Sequence, residues 1–332
     1  MAERRWRRLA RSWLNSTINV VRQRPLMAVF EACLRCNQKC GYCDLPLNEG
    51  RYEMSRAEIR QVFTALHASG LRYVFVQGGE PLVRSDILEV LEDLREIGLG
   101  VCLVTNGVRL TAAVVDALER LEVSVSISLD SLDPEVYACI RGASHLDRVL
   151  AAVDRLEGFA HPKFIATIVT GRNDEDVASV VRFANERGFM PIVGAYHHDV
   201  GRYGRHDAVL LYERRRAAQT FEALKHQLPP GYYRAYADDN ARWLRGEPLS
   251  RCDAGRYSIA IDASGNVSAC LAHEPKGNLL GQSLDEILAA MDHAEIRRCS
   301  DAGTCNLLCA RLIQRNLEDP VTLARTRFRA AP

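Results

Sequence analysis

The sequence predicts an α/β protein built on a parallel sheet, followed by a smaller cysteine-rich part near the C-terminus. Three observations support this prediction. Short apolar runs alternate with amphipathic stretches between residues 27 and 195, the alternation stops near residue 200, and eight of the 11 cysteines lie in two dense groups. Strands that alternate with helices pair in parallel through right-handed crossovers, so the six units form either an open sheet or a curved partial barrel.

The strands are predicted from short runs rich in apolar and β-branched residues, at Met27–Glu31, Tyr73–Gln77, Val101–Thr105, Val123–Leu129, Phe164–Thr170 and Pro191–Ala195. The helices between them are predicted from apolar residues at helical spacing, at Arg56–Ser69, Ser85–Ile97, Ala112–Leu121, Leu146–Leu156 and Glu175–Arg187. Beyond Cys252 the sequence predicts a β-hairpin of Tyr257–Asp262 and Val267–Leu271, then a helix near Leu284–Met291. We therefore divide the chain into a basic N-terminal helix (1–26), the α/β core (27–200), a helical bridging segment (201–250) and the C-terminal part (251–332).

Composition and charge exclude several classes of protein. Hydrophobic residues make up 47% of the chain, which is enough for a sizeable core. The net charge is +1, from 43 Lys and Arg against 42 Asp and Glu, so we expect no nucleic acid partner. No apolar run is long enough to span a bilayer and none resembles a signal peptide, so we expect a cytoplasmic protein. The arginine-rich N-terminal segment is interpreted as an amphipathic helix on the protein body, the alternative being a targeting or membrane-surface helix.

Three cysteines shortly after the first strand form the first dense group. Cys36, Cys40 and Cys43 follow the spacing C-x3-C-x2-C, which can wrap one side of a 4Fe-4S cluster and leaves one iron without a protein ligand. The alternative is a structural zinc site completed by Cys33, although we expect a structural role for Cys33. The position of the loop after a strand favours the cluster, because α/β barrels place their active sites at the C-terminal ends of their strands.

Three further motifs lie at the ends of the second, third and fourth strands: Gly78–Pro81 reads Gly-Gly-Glu-Pro, Thr105–Gly107 reads Thr-Asn-Gly, and Ser128–Asp130 reads Ser-Leu-Asp. Together with the cysteine loop and its aromatic residue Tyr42, they resemble the radical S-adenosylmethionine (SAM) superfamily. The resemblance implies a partial (β/α)6 barrel of the TIM type and a 4Fe-4S cluster held by the three cysteines. It also implies that SAM is cleaved reductively to a 5′-deoxyadenosyl radical, which removes a hydrogen atom from the substrate.

The same resemblance implies a set of SAM-binding residues, namely Tyr42, Gly78, Gly79, Glu80, Asn106, Ser128 and Asp130. The glycines let the backbone approach the methionine moiety of SAM, whose ammonium group donates to the glutamate. The serine and the aspartate offer acceptors to the ribose hydroxyls, with help from the asparagine. The tyrosine borders the adenine, although packing alone would also explain an aromatic residue at this position.

The second cysteine group resembles the SPASM and twitch extensions of radical SAM enzymes, which hold auxiliary iron-sulfur clusters on a hairpin. Its members are Cys252, Cys270, Cys299, Cys305 and Cys309. The full SPASM pattern has one more cysteine, at the position of Ile296, and another downstream of the last, so we expect one auxiliary 4Fe-4S cluster instead of two. The expected ligands are Cys252, Cys270, Cys305 and Cys309, with Cys299 as a fifth candidate. A zinc ribbon is the structural alternative.

The substrate is expected to be a small polar molecule. About 26 residues precede the first strand, whereas peptide-modifying members of the superfamily often carry a leader-binding domain of about a hundred residues there. We expect a sugar, aminocyclitol or nucleoside of antibiotic biosynthesis, dehydrogenated by an oxidoreductase or decarboxylated or dehydrated by a lyase similar to the cytosylglucuronate decarboxylases. Candidate substrate-binding residues are His197, His198, Arg202 and Arg205, the alternative being a solvated loop.

A flavodoxin or a ferredoxin is the expected reductant of the first cluster, because the reductive cleavage of SAM requires one electron. Two alternatives stay open for the function. The first is maturation of a peptide, with leader recognition supplied by a separate protein. The second is a zinc-stabilised binding protein without catalysis.

Overall fold

Six parallel strands connected by helical crossovers form the core of the protein in the computed structural model, which describes residues 19–198, 207–308 and 311–319. They lie side by side in chain order, and every neighbouring pair is parallel. This confirms the predicted α/β fold, and no boundary of these six strands differs from its prediction by more than one residue. The strands are β1 (Met27–Glu31), β2 (Tyr73–Gln77), β3 (Gly100–Thr105), β4 (Ser124–Ser128), β5 (Lys163–Val169) and β6 (Met190–Ala195).

The helices of the core pack their apolar faces on one face of this sheet. Phe63 of the first helix meets Phe30 of β1 with ring centroids 5.0 Å apart, inside one continuous buried cluster. Alternate strand side chains point to the opposite face, where Val29 and Phe75 line a cavity. The helices are α1 (Arg56–Ala68), α2 (Ile87–Ile97), α3 (Ala112–Arg120), α4 (Pro134–Arg141), α5 (Leu146–Arg155) and α6 (Val177–Glu186).

Helix α4 was not predicted, although two local signals precede it. Asp133 caps its first turn by accepting from the backbone N–H of Glu135 at 2.8 Å and of Val136 at 2.9 Å, and proline occupies its first position. The helix ends at Gly142, which has a φ of 63°. A Cβ at Gly142 would lie 2.7 Å from the carbonyl carbon of Lys39, so the end of α4 packs closely against the cysteine loop.

Two helices in the described part of the bridging segment cover the sheet beside β6. They are α7 (Arg214–Leu224) and α8 (Tyr232–Leu244). Phe221 and Ala241 of these helices are buried against Val193 of β6. The same helix α8 also presents Tyr236 to the interior of the barrel.

The C-terminal part continues the barrel sheet. β7 (Ser258–Ile261) pairs in parallel with β1, from Ser258 opposite Met27 to Ile261 opposite Phe30. β8 (Asn266–Ser268) returns antiparallel beside β7, and β9 (Gly277–Asn278) follows, so the sheet has nine strands within the described residues. The predicted hairpin is present, but it is joined to the barrel by the β1–β7 ladder. Three short helices complete this part: α9 (Leu284–Ala289), α10 (His293–Ala302) and α11 (Leu312–Glu318).

The predicted N-terminal helix lies mostly in residues 1–18, outside the described residues, and residues 19–21 are helical. None of the described helices is both long and apolar enough to cross a lipid bilayer.

Candidate active site

The strand ends bring the predicted motifs together around one cavity of about 190 Å³ at the C-terminal edge of the sheet, which we call the cluster cavity. Each residue predicted to bind the first cluster or SAM lines it except Asp130, which is fully buried. The walls include Cys36, Cys40, Tyr42, Cys43, Gly78, Gly79, Glu80, Asn106, Ser128 and Arg141.

The three thiols of the loop are free and close enough to influence one another. Burial raises the pKa of Cys36 to about 11 and that of Cys43 to about 12, and the Cys40 thiol adds to both shifts. Cys33 does not line the cavity, and its Sγ donates to the carbonyl oxygen of Glu80 at 3.2 Å. The donor set of the cavity is therefore three cysteines, which fits a 4Fe-4S cluster with one open iron.

The pair Gly78 and Gly79 holds the cysteine loop against the end of β2. The N–H of Gly79 donates to the carbonyl of Cys33 at 2.9 Å, and the N–H of Glu80 donates to the carbonyl of Arg35 at 2.8 Å. Gly78 has a φ of 146°, and a Cβ at either glycine would collide with the carbonyl oxygen of Cys33 or of Arg35. Both glycines are therefore required for the cysteine loop to pack against the end of β2, whether or not a ligand also contacts them.

Glu80 is buried, and both of its carboxylate oxygens accept hydrogen bonds from the protein. Oε1 accepts from the N–H of Leu82 at 3.0 Å and from the hydroxyl of Thr105 at 2.7 Å, and Oε2 accepts from the N–H of Asn106 at 2.7 Å. Burial raises the pKa of Glu80, while these donors oppose the shift. The Asn106 side chain donates in turn to Asn37 Oδ1 at 2.7 Å. Glu80 thus ties the ends of β2 and β3 to the cysteine loop, and a ligand ammonium group would use its remaining acceptor capacity.

Asp130 connects the end of β4 to two residues of the cavity wall. Its Oδ1 accepts from the N–H of Ile168 at 2.7 Å. Its Oδ2 lies 2.6 Å from Arg141 Nε and accepts from the Tyr42 hydroxyl at 3.2 Å. Because both oxygens are engaged inside the protein, Asp130 acts on the cavity through Tyr42 and Arg141, whereas Ser128 lines it directly.

Arg141 is a cavity residue that sequence reasoning missed. It is the last residue of α4, it is 5% exposed, and Asp130 balances its charge. Its guanidinium also hydrogen-bonds to the thiol of Cys40 and lies 5.5 Å from the centroid of the Tyr42 ring. A buried arginine at this wall provides a positive group for a ligand carboxylate. In the sequence, Arg141 lies at the end of a helix just before Gly142, a position where an exposed arginine is equally common, so the sequence does not show that it is buried.

A second cavity, of about 310 Å³, occupies the interior of the partial barrel, and we call it the interior cavity. It shares Tyr42, Cys43, Gln77 and Val104 with the cluster cavity, so the two are contiguous. A molecule bound there would lie beside the cysteine loop. The other walls are Val29, Phe75, Cys102, Ser126, Phe164, Ala166, Ile168, Ile192, Ala195, Tyr196, His197, Tyr233, Tyr236, Leu271, Leu307 and Leu308.

Two of the four predicted substrate-binding residues can be placed. His197 lines the interior cavity, and the ring of His198 lies 5.8 Å from that of Tyr196. Arg202 and Arg205 lie outside the described residues.

His197 is held in one orientation by the protein. Its Nε2 accepts from the N–H of Asn306 at 2.9 Å, and its ring stacks on Trp243 with centroids 4.5 Å apart. Burial lowers the pKa of His197 to about 4. The imidazole is therefore neutral near pH 7.

Four cysteines of the second group are described, and Cys309 lies outside the described residues. Cys252 precedes β7, Cys270 follows β8, Cys299 lies on α10 and Cys305 follows α10. Burial raises the pKa of Cys305 to about 11, and the thiols of Cys252 and Cys299 add to the shift, so these three are neighbours. Within the described ranges, no three His, Cys, Asp or Glu side chains are placed to hold a single metal ion.

His273 is a second residue that sequence reasoning missed. A hydrogen bond with His273 lowers the pKa of the Cys299 thiol, and His273 Nδ1 lies 3.4 Å from Glu295 Oε1. It therefore adds a nitrogen atom beside a predicted cluster ligand. In the sequence, His273 follows Cys270 with two residues between them, and this spacing could have marked His273 as a residue of the second cysteine group.

Both sites fall within matches to known families. Residues 31–184 match the Radical SAM superfamily, and residues 252–311 match an iron-sulfur cluster-binding domain. The chain contains a Radical SAM superfamily domain. The first match includes the three-cysteine loop and the motifs at the ends of β2, β3 and β4, and the second includes all five C-terminal cysteines. The predicted membership of this radical SAM protein is confirmed.

Similar proteins include several GTP 3′,8-cyclases. The GTP 3′,8-cyclase of Pseudomonas entomophila is 35% identical over 164 residues, which cover 46% of this chain and 48% of the relative. GTP 3′,8-cyclase 1 of Pseudomonas aeruginosa is 37% identical over 165 residues, which cover 46% and 49%. The chain thus spans about half the length of these relatives.

Solved structures share the fold over most of the chain. SuiB of Streptococcus suis, bound to precursor peptide SuiA, has a TM-score of 0.68 at 18% identity and covers 85% of this chain and 71% of its own. Native anSMEcpe with bound AdoMet has a TM-score of 0.63 at 18% identity and covers 83% and 84%. These likenesses confirm the partial-barrel fold.

Proposed function

We propose that this radical SAM protein takes a hydrogen atom from an organic substrate bound in the interior cavity. The observation that carries the proposal is the continuity of the two cavities, which share Tyr42 and Cys43 of the cysteine loop. When bound, the open 4Fe-4S cluster and SAM supply the 5′-deoxyadenosyl radical that accepts this hydrogen atom.

The residues of the cluster cavity hold and orient these groups. Cys36, Cys40 and Cys43 provide the thiolates for three irons. Arg141, kept in place by Asp130, provides a cation for the carboxylate of SAM. The backbone contacts of the glycine pair fix the loop, and the largely apolar walls of the interior cavity offer few hydrogen-bond partners to water.

The C-terminal cysteines support one auxiliary 4Fe-4S cluster. Its proposed ligands are Cys252, Cys270, Cys305 and Cys309, with Cys299 beside them. If one electron leaves the substrate radical through this site and one proton is released, the product is dehydrogenated, as by an oxidoreductase. If the electron is retained, the substrate radical loses carbon dioxide or water and the product radical takes a hydrogen atom back, from 5′-deoxyadenosine, so the outcome is redox-neutral, as by a lyase. A flavodoxin- or ferredoxin-type reductant and a cytoplasmic location are parts of the same proposal.

Two classes of substrate fit this proposal, a small metabolite and a peptide. The first is a small metabolite, such as the sugar, aminocyclitol or nucleoside of antibiotic biosynthesis expected from the sequence, and only the volume of the interior cavity, about 310 Å³, supports it. A peptide is supported by the likeness to SuiB, whose structure contains its precursor peptide.

The proposal is tested by metal analysis and by measuring 5′-deoxyadenosine after addition of SAM and dithionite under anaerobic conditions. We expect iron and sulfide in the protein, and no 5′-deoxyadenosine from Cys36→Ala, Cys40→Ala or Cys43→Ala. The matched control is Cys139→Ala, because Cys139 is exposed and outside both cysteine groups. Unchanged 5′-deoxyadenosine in the three variants would overturn the proposal, and zinc in place of iron would favour a zinc-stabilised binding protein.

A further inference from the structure

Within the described residues, the walls of the interior cavity carry one basic side chain, the imidazole of His197. In the part of the chain that the structure describes, no Lys, Arg, Asp or Glu lines this cavity. Aromatic and aliphatic groups dominate instead, including Phe75, Phe164, Tyr233, Leu307 and Leu308. These walls therefore offer apolar surface to whatever binds there.

Several polar groups on the walls, away from the cysteine loop, are uncharged near pH 7. His197 is neutral because it is buried, and its Nε2 already accepts from Asn306. Burial raises the pKa of Cys102 to about 12, so its thiol is protonated. The Tyr236 hydroxyl donates to the carbonyl of Asn306 at 3.0 Å. A charged group that gave up water on entering this cavity would find no oppositely charged side chain on the described walls, which is unfavourable.

The size of the cavity also indicates a ligand. Protein interiors are close-packed, and voids much larger than a water molecule are few. A space of about 310 Å³ falls at the lower end of the range for small-molecule sites. Since it shares four wall residues with the cluster cavity, its occupant would lie beside the cluster and SAM and would be the molecule that reacts.

We propose that the part of the substrate that enters the barrel is an uncharged hydrocarbon group, aromatic or branched aliphatic, with one or two hydrogen-bonding atoms. This inference rests on the proposed function and specifies the substrate class of the same site. It differs from the polar substrate expected from the sequence, because charged or highly hydroxylated parts stay outside the interior cavity. The phosphates of a nucleotide would find no cationic partner on these walls. Either a free small molecule or a side chain of a peptide can supply such a group.

Isothermal titration calorimetry on the reconstituted full-length protein with SAM bound tests the proposal. The four probes are 2-naphthol, N-acetylphenylalaninamide, glucuronate and GTP. The first two present an uncharged ring with few polar atoms, and the last two carry negative charge. We expect both uncharged probes to bind, and glucuronate and GTP to bind at least tenfold more weakly.

Variants of Ala166 locate the binding site. Ala166 lies on β5 and lines the interior cavity but not the cluster cavity. Ala166→Val and Ala166→Phe fill the space to increasing degrees, so the affinity for 2-naphthol should fall stepwise, by at least tenfold for the larger side chain. Iron content and SAM affinity should stay unchanged. The control is Ala113→Phe, which places the same side chain at an exposed position of α3.

The outcomes separate this inference from the proposed function. Tighter binding of 2-naphthol indicates a free small molecule, and tighter binding of the capped amino acid indicates a peptide side chain; either result supports the proposal. GTP or glucuronate binding as tightly as the uncharged probes would overturn it, as would 2-naphthol affinity that neither Ala166 variant changes. Absence of iron or of 5′-deoxyadenosine in the wild-type protein would instead refute the proposed function.

Discussion

Replacing Gly79 by alanine tests how the cysteine loop is positioned. A Cβ at Gly79 would lie 2.5 Å from the carbonyl carbon of Arg35 and 2.6 Å from the carbonyl oxygen of Leu34. Because carbon atoms pack at about 3.5 Å or more, the loop must move outward by about 1 Å. Both neighbours are backbone atoms immediately before Cys36, so no side-chain rotation relieves the collision.

The displacement should affect catalysis more than stability. Inserting a methyl group into a packed site usually costs about 1–3 kcal/mol. Misplacing a reacting group by about 1 Å can lower a rate by about 10²-fold. We therefore expect Gly79→Ala to lower the free energy of unfolding by about 1–3 kcal/mol and 5′-deoxyadenosine formation by about 10²-fold.

The matched control is Gly281→Ala, because no atom lies within 4 Å of a Cβ at that position. Both variants are reconstituted under anaerobic conditions. Urea denaturation gives their stability, metal analysis gives iron per chain, and chromatography gives the rate of 5′-deoxyadenosine formation with SAM and dithionite. If Gly79→Ala matches Gly281→Ala in all three measurements, the glycine does not position the loop.

Three further outcomes are expected. Cys252→Ala should lower the iron content by about four irons, one cluster, and leave 5′-deoxyadenosine formation in place; unchanged iron would show that Cys252 holds no cluster. Arg141→Gln leaves Asp130 buried without its partner, so urea denaturation should show a loss of about 3–5 kcal/mol and equilibrium dialysis a weaker SAM affinity; wild-type values would contradict this. Burial lowers the pKa of His197 from 6.5 to about 4. As the pH falls, the imidazole therefore takes up a proton in the unfolded chain before it does so in the folded protein. The free energy of unfolding should drop by up to ~3 kcal/mol between pH 6.5 and 4. His197→Asn should lose this part of the pH dependence.

The fold was predictable where its determinants are local. Parallel strands covered on both faces appear as short apolar runs, which is why β1 to β6 were found within one residue of their ends. Helix α4 was missed because it has eight residues, too few for a clear apolar period. The pairing of β7 with β1 joins residues more than two hundred positions apart, and such a ladder leaves no periodic signal in either segment.

The candidate site was predictable where motifs follow strands, because the carboxyl ends of parallel strands meet at one edge of the sheet. Arg141 and His273 acquire their places through tertiary contacts with Asp130 and Cys299, which no local pattern specifies. The polarity of the substrate was expected from the residues after β6. The strand residues that face the interior cavity, such as Phe75, indicate an apolar ligand instead. They can be recognised in the sequence because alternate residues of a strand point to opposite faces of the sheet.

The two cysteine groups approach the interior cavity from opposite edges of the sheet. β7 runs parallel to β1, so Cys252, which precedes β7, belongs to the edge where β1 begins, whereas Cys36 follows the end of β1. The five residues of β1 rise about 3.3 Å each, which separates the two edges by about 15 Å. The interior cavity is lined by Cys43 and also by Leu271, the residue after Cys270. A substrate in this cavity would therefore lie between the two groups, and an electron could leave it through the C-terminal cysteines without crossing the cysteine loop. The dehydrogenating outcome of the proposed function would use this route.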